Sequence, residues 1–389
     1  MNSKTFCLAP WTHALVHTDA TMRTCCATKK KSTIKFTDYE SWWNSTDMVS
    51  LRQDLHNGIK NAHCSSCWHT ESLGKESVRN NYNNLFRKYA NFNTIRESSK
   101  KDFKSSDLPT TWDLRLGNIC NLKCVMCNPE FSHLIQQEIQ KFQPIIPQNL
   151  KLESNNSEIA NWSNTQQGLN FLNKIIKDVR WLKLQGGEPL AIKNVQDVIT
   201  NLNKDAVLAV TTNGTILTDA LDKILKDQTR VEISVSVESA GPANDIIRYG
   251  SDWKVIDANI QKIKNYPRGD LQLNHTLQLV SVFHLPDVIR YCEKNNLHVM
   301  LINLTSPDYL SLRACPKKYL DQLVEEVCSI DIQHPKNQYI KTMIKNIVDQ
   351  TEFDIDLWYK FWAYVEYLDQ IRPDKFSTVL PTNFKKDLI

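Results

Sequence analysis

From residue 111 onward, short apolar and β-branched runs alternate with segments of helical periodicity, and that alternation is the tightest constraint on the fold. Strand-like runs fall at 111–116, 180–185, 206–211, 231–237, 271–280 and 298–304. Helix-like segments at 129–142, 168–177, 195–203, 219–227, 253–264 and 285–295 fill the intervals. Strands separated by a helix pair in parallel through crossover connections, so the expectation is an α/β fold with a parallel sheet. In such a sheet ligands gather at the carboxyl ends of the strands, whether it stays open or curls into a barrel. A motif that carries chemistry should therefore follow directly on a strand.

Composition sets the limits. A chain of 389 residues that is 41% hydrophobic can bury at least one large core. Lys and Arg exceed Asp and Glu by 47 to 43, a balance unlike that of a nucleic-acid-binding domain, and the Lys29-Lys30-Lys31 run is too short to alter it. No apolar run could span a bilayer, and Met1-Asn2-Ser3-Lys4-Thr5 lacks the apolar core of a signal peptide. The expectation is a cytoplasmic protein with neither nucleic acid nor membrane as partner. Eleven cysteines in that compartment point to metal binding or redox chemistry rather than disulfides. Beyond residue 316, Trp358, Phe361, Trp362, Val365 and Leu368 recur at spacings of three and four, the stripe of a helix packed on a core.

Cys120, Cys124 and Cys127 have the spacing C-x3-C-x2-C and follow the first strand of the alternating region through the turn Gly117-Asn118-Ile119. Three thiolates can hold three irons of a [4Fe–4S] cube, each iron taking one. With no fourth cysteine nearby, one iron is left open. Half of a zinc site is the competing reading, but zinc pairs are usually C-x2-C with a second pair downstream. The segment resembles the radical S-adenosylmethionine (radical SAM) enzymes, whose trio follows the first strand of a partial (β/α)6 TIM-like barrel; Met126 stands where an aromatic residue is common. The resemblance implies that S-adenosylmethionine chelates the open iron. An electron then breaks a carbon–sulfur bond, giving a 5′-deoxyadenosyl radical that takes hydrogen from a substrate. A reductant such as flavodoxin or ferredoxin is implied as partner.

The second strand ends in Gly186-Gly187-Glu188-Pro189. Glycines permit close approach to the backbone, and the carboxylate can accept hydrogen bonds from an ammonium group; a plain strand-to-helix turn explains the pair as well. In its position the stretch resembles the GGEP motif of the same family, which holds the amino group of the cofactor. By the same resemblance Asn213 after the third strand, and Ser236 and Glu238 at the end of the fourth, lie near the cofactor ribose and carboxylate. On the fifth strand Asn274, His275 and Gln278 could each face the pocket or the outside.

The segment before this region holds Cys7 in Cys7-Leu8-Ala9-Pro10-Trp11, then Cys25-Cys26, then Cys64-Ser65-Ser66-Cys67. Four thiolates close a cluster or a structural zinc site equally well. The order resembles the SPASM/twitch extension of radical SAM enzymes, here placed before the barrel, with Ala20 or a neighbour in place of the hairpin glycine. The resemblance implies an auxiliary [4Fe–4S] cluster on Cys7, Cys25, Cys64 and Cys67. Cys26 is expected to be a buried small hydrophobe, and His63 and His69, which flank the C-x2-C pair, to be solvent-facing, with replacement ligands the alternative.

The expected organisation is a cysteine-rich twitch-like domain at 1–80, a linker at 81–108, a partial barrel at 109–315 and a C-terminal helical extension at 316–389. The expected activity is hydrogen abstraction from a peptide or protein side chain, or from a small metabolite. Net oxidation through the auxiliary cluster, non-oxidative epimerisation and thioether formation all stay open, as does a non-catalytic binding protein stapled by zinc. Cys292 and Cys328 read as core. Cys315 reads as a small apolar residue before a helix, with a place near the pocket mouth as hydrogen donor the alternative. His284 and Asp287 read as loop residues that could also serve the substrate side.

Overall fold

A computed structural model describes residues 4–29, 32–72, 74–152, 161–304 and 306–384. Met1, Asn2, Ser3, Lys30 and Lys31 lie outside the described residues. The chain divides into two compact units, Met1–Ile119 with Glu158–Val210 and Lys223–Val231, and Cys120–Ser157 with Thr211–Asp222 and Glu232–Ile389.

In the first unit the strand order is β2-β1-β3-β4-β5, with β1 at His13–Val16, β2 at Met22–Arg23, β3 at Thr111–Arg115, β4 at Trp181–Gln185 and β5 at Val207–Thr212. β3, β4 and β5 lie where the apolar runs place them, and each pairs in parallel with the next. β1 was not expected. It pairs in parallel with β3, His13 against Thr111 and Val16 against Leu114, so the N-terminal segment contributes a strand to the sheet. β1 and β2 form the antiparallel hairpin, and Ala20 turns it at φ +68°, the left-handed conformation that favours glycine.

Side chains alternate across these strands. Trp112, Leu114, Leu182 and Leu184 are buried, and Trp112 meets Phe171 at 5.4 Å and Tyr39 at 5.6 Å between ring centroids. A separate cluster joins Phe6, Leu8, Trp11, Phe86 and Ile95 to Trp181, Val207 and Ala209. The stretch 81–108, expected to connect with some helix around Tyr82–Tyr89, carries the helices Val78–Phe86 and Phe92–Ser99 that deliver Phe86 and Ile95 to that cluster.

In the second unit the order is β6-β7-β8, at Arg230–Ser236, Gly269–Leu277 and His298–Asn303. β7 and β8 are parallel, Gln272 against His298 and Leu277 against Asn303. β8 ends the order, and its outer backbone is covered by side chains: Val299 N–H donates to Asn337 Oδ1 at 3.0 Å, and Tyr339 Oη donates to Val299 O at 3.1 Å. Helices Trp253–Lys264 and Leu285–Asn295 occupy the residues expected of them. The aromatic stripe lies on the helix Ile355–Ile371, where Trp358, Phe361, Val365 and Leu368 are buried. This is an α/β fold with a parallel sheet and many helices, consistent with a partial barrel. Among the described residues no helix is long and apolar enough to cross a membrane.

Candidate cofactor site

Within the second unit, Cys120, Cys124 and Cys127 lie on one irregular loop. Cys127 N–H donates to Cys124 O at 3.0 Å, closing a tight turn between the last two thiols. His133 Nδ1 accepts from Cys120 N–H at 3.3 Å. The loop is tied to a second segment by Lys123 N–H to Tyr249 O at 2.8 Å and Val125 N–H to Ile247 O at 2.9 Å. It is also braced from the C-terminal helix, where Tyr364 Oη donates to Val125 O at 2.8 Å. Glu138 adds a clamp, its two oxygens meeting Lys123 Nζ and Arg372 Nη2 at 2.6 Å each.

Burial pushes the Cys127 thiol up, and the charges of Cys124 and Cys120 push it further. Cys124 is raised by burial and drawn back by Arg248, whose Nη1 stands 3.9 Å from its sulfur. Three thiols on one loop, beside a half-buried guanidinium that favours thiolate, fit three irons of a cube.

Arg248 is the residue that sequence reasoning missed. Nothing in its spacing marks it, because it lies on the loop after β6 rather than in a motif. Its Nη2 donates to Glu238 Oε1 at 2.7 Å, and Thr276 N–H donates to Glu238 Oε2 at 3.0 Å. Glu238 is fully buried, and burial raises its carboxyl despite the guanidinium. His275, also fully buried, has Nδ1 3.8 Å from Glu238 Oε2, beyond hydrogen-bond reach, and burial holds its pKa down to about 3. Asn213 Nδ2 donates to Asn121 Oδ1 at 2.9 Å, which attaches it to the cysteine loop. Met126 and Ser236 are half-buried, Met126 on the loop and Ser236 at the end of β6. Of the three candidates on β7 and beyond, Asn274 is half-buried and hydrogen-bonds Gln272, whereas Gln278 is fully buried.

Within the first unit, Gly186-Gly187-Glu188-Pro189 leaves β4 and runs beside the turn that follows β3. A Cβ on Gly187 would stand 2.1 Å from Ile119 O, and one on Gly186, at φ +130°, 2.9 Å from Gly117 O. The glycines are demanded by the chain's own backbone. Gly187 N–H donates to Gly117 O and Glu188 N–H to Ile119 O, fixing the residue that precedes Cys120 in sequence. Glu188 is fully buried, and its Oε1 accepts Leu190 N–H at 3.0 Å, capping the short turn Pro189–Ala191.

Cys7, Cys25, Cys64 and Cys67 line one small cavity together with His63, Arg79 and Tyr82. Burial raises Cys7 and Cys64 to about 12, with Cys67 adding to both, and Cys25 is raised by burial and by Cys26, Cys7 and Cys64. Four thiols that act on one another across a shared cavity fit an auxiliary cluster as a donor set. Among the described residues no three His, Cys, Asp or Glu side chains are grouped closely enough for a single metal ion.

Several expectations are corrected. Cys26 is an exposed residue, because it lies just past the hairpin with its Sγ 3.4 Å from Tyr82 Oη, and it is not a buried hydrophobe. Cys328 is exposed rather than core, while Cys292 and Cys315 are fully buried. His63 is half-buried and lines the cysteine cavity; His69 is exposed. His284 is tied to Val379 O, and Asp287 pairs with Arg290 on the surface. A cavity of about 500 Å³ in the first unit borders Thr110 and Arg180, which precede β3 and β4. It lies at the amino ends of those strands, away from the motifs.

Residues 114–277 match the sequence model of the Radical SAM superfamily. That segment is similar to the radical SAM superfamily. The family implies S-adenosylmethionine and a [4Fe–4S] cluster, for which the cysteine loop supplies a fitting donor set. Over 185 residues the chain is 26% identical to a protein named probable GTP 3′,8-cyclase from Methanocaldococcus jannaschii, covering 46% of this chain and 53% of that one. A Methanococcus aeolicus protein of the same name is 22% identical over 243 residues, 60% of this chain and 72% of its own length. The chain thus spans about half the length of the first of these curated relatives. Among solved structures, Streptococcus suis SuiB bound to its precursor peptide SuiA covers 90% of this chain and 72% of its own at 13% identity and a TM-score of 0.38. Native anSMEcpe with bound AdoMet covers 62% of this chain and 61% of its own at 14% identity and a TM-score of 0.36.

Proposed function

We propose that this chain is a radical SAM enzyme that abstracts hydrogen from a peptide or protein side chain, or from a small metabolite. The observation that carries the reading is the placement of Cys120, Cys124 and Cys127 on one loop, with Arg248 Nη1 3.9 Å from Cys124 Sγ, within the segment that matches the radical SAM model. Bound there, a [4Fe–4S] cluster with one open iron supplies reductive cleavage of S-adenosylmethionine to a 5′-deoxyadenosyl radical.

The chain's own residues do the rest. Tyr364 and the Lys123–Glu138–Arg372 clamp hold the cysteine loop in place, and Arg248 and Glu238 set the charge beside it. Met126, Asn213, Ser236 and Glu238, and the stretch Gly186-Gly187-Glu188-Pro189, are the proposed cofactor contacts. Cys7, Cys25, Cys64 and Cys67 are the proposed ligands of an auxiliary [4Fe–4S] cluster. That cluster would take an electron from the substrate and make the net reaction an oxidation; epimerisation or thioether formation would use it as a relay or support. The division at 80, 108 and 315 into twitch-like domain, linker, barrel and C-terminal extension belongs to the same reading. Flavodoxin or ferredoxin is the proposed reductant and the cytoplasm the proposed location.

Anaerobic reconstitution tests this. About eight irons per chain, and 5′-deoxyadenosine released on reduction with S-adenosylmethionine, are expected. Zinc without iron would replace the proposal with a zinc-stapled binding protein, and no 5′-deoxyadenosine from protein fully loaded with iron would overturn it.

A further inference from the structure

The cavity of about 500 Å³ at the amino ends of β3 and β4 has no part in the function proposed above. It lies within the first unit and has the size of a small-molecule site, with Trp11, Tyr89, Phe92, Asp107, Leu108 and Arg180 among its walls.

The local sequence leaves charge open there. Asn91 caps the helix Phe92–Ser99, its Oδ1 accepting Thr94 N–H at 3.2 Å. Asp107 braces the same turn with one oxygen only: Oδ2 accepts from Asn91 Nδ2 at 3.0 Å and from Thr94 Oγ1 at 2.7 Å. Among the described residues Asp107 Oδ1 has no hydrogen-bond partner. Arg180 is anchored by its backbone, N–H donating to Thr110 O at 2.8 Å. Its side chain is exposed and, among the described residues, has neither a hydrogen-bond nor an ion-pair partner.

Two buried donors on the walls are also unspent. Trp11 Nε1 and Tyr89 Oη are shut off from solvent, and among the described residues neither has a hydrogen-bond partner. A buried polar group left unpaired costs about 1–3 kcal/mol, a penalty that a ligand accepting from it offsets. The remaining walls are apolar. Phe92 and Leu108 are 36% and 41% exposed, high for large apolar side chains.

We infer that this cavity binds a zwitterion with an apolar body, an apolar amino acid or a dipeptide of such residues. The Arg180 guanidinium, with the donors of Tyr89 and Trp11, suits the carboxylate, and the open oxygen of Asp107 suits the ammonium. Phe92 and Leu108 would cover the side chain. A simple anion would share the cavity with the Asp107 carboxylate, and a simple amine with Arg180; a ligand carrying both charges satisfies each. The site lies at the amino ends of the strands and does not rest on the radical SAM reading.

Isothermal titration calorimetry of the full-length protein, reconstituted with iron, tests this. The probes are L-phenylalanine, L-leucine and phenylalanyl-leucine. Controls are N-acetyl-L-phenylalanine, which lacks the ammonium, L-phenylalaninamide, which lacks the carboxylate, and glycine, which lacks the apolar body. At least one probe is expected to bind more tightly than every control; preference for the dipeptide or for a single amino acid assigns the source. Arg180→Gln should weaken the preferred probe about tenfold or more, and Asp107→Asn, which keeps an oxygen for Asn91 and Thr94, should weaken it too. Tyr89→Phe should weaken it about tenfold, yet leave the thermal midpoint of the ligand-free protein unchanged or higher, because the hydroxyl has no partner there. Circular dichroism confirms that each variant is folded. No probe binding more tightly than the controls, or unchanged affinity in folded Arg180→Gln or Tyr89→Phe, overturns the inference.

Discussion

Replacing Arg248 with Met removes the guanidinium that faces the fully buried Glu238 at 2.7 Å. Stripping one partner from a buried ion pair costs about 3–5 kcal/mol, because the remaining charge has lost its compensation. Two features place this site at the low end, about 3 kcal/mol. Thr276 N–H still serves Glu238 Oε2 at 3.0 Å, and burial already raises the carboxyl, so a stranded Glu238 takes up a proton more readily than an exposed one would. Urea unfolding of the metal-free protein under anaerobic conditions measures the loss. The double variant Arg248→Met with Glu238→Gln should recover about 2 kcal/mol of it, since no charge is then left behind. The iron content of reconstituted Arg248→Met should also fall, as the cation 3.9 Å from Cys124 is gone. A single variant within about 0.5 kcal/mol of the parent, or a double variant costing the sum of the singles, would refute the buried-pair account.

Tyr364→Phe removes the hydrogen bond to Val125 O and should cost about 1 kcal/mol, read in urea unfolding, with faster loss of iron from the loop. Gly187→Ala places a Cβ 2.1 Å from Ile119 O, a backbone atom that cannot swing aside, and should lower stability by about 3 kcal/mol or more in the same assay. Ala20→Gly relieves the left-handed hairpin position and should raise stability by about 1 kcal/mol, seen as a higher thermal midpoint. His13 is buried against Phe86, and burial lowers its pKa from 6.5 to about 3. The unfolded chain then binds the extra proton, so stability is full above pH 6.5 and is lost as pH falls toward 3; His13 accounts for about 2 kcal/mol between pH 6.5 and 5. A His13→Gln variant should show a flatter stability profile over that interval.

The strands and helices beyond residue 111 were legible because their signals are local. An apolar β-branched run between two helical periods leaves little choice, and the observed β3, β4, β5, β6 and β8 fall within a residue or two of the sequence expectation. β1 was not legible. His13-Ala14-Leu15-Val16 is only four residues long and follows a single-turn helix, Ala9–Thr12, too short to show a period, and its strand character comes from pairing with Thr111–Leu114 far along the chain. The cysteine loop was legible from spacing alone, while Arg248 was not, since its contacts with Glu238 and Cys124 exist only once β6 and the loop after it are folded. Gly186 and Gly187 directly follow β4, and the structure adds a packing reason for them. Their want of side chains admits the carbonyls of Gly117 and Ile119, a contact between strand ends that one strand's sequence cannot reveal. Cys26 and Cys328 were misread because a lone cysteine carries no periodic signal of which way it faces.

Iron and cofactor cleavage in the triple variant Cys120→Ala, Cys124→Ala, Cys127→Ala test the central claim most directly. If the chain holds two clusters on two separate cysteine sets, the reconstituted variant keeps about four irons per chain and releases no 5′-deoxyadenosine, while the parent binds about eight and releases it. Retention of all the iron in the variant, or 5′-deoxyadenosine at the parental rate, would contradict the account.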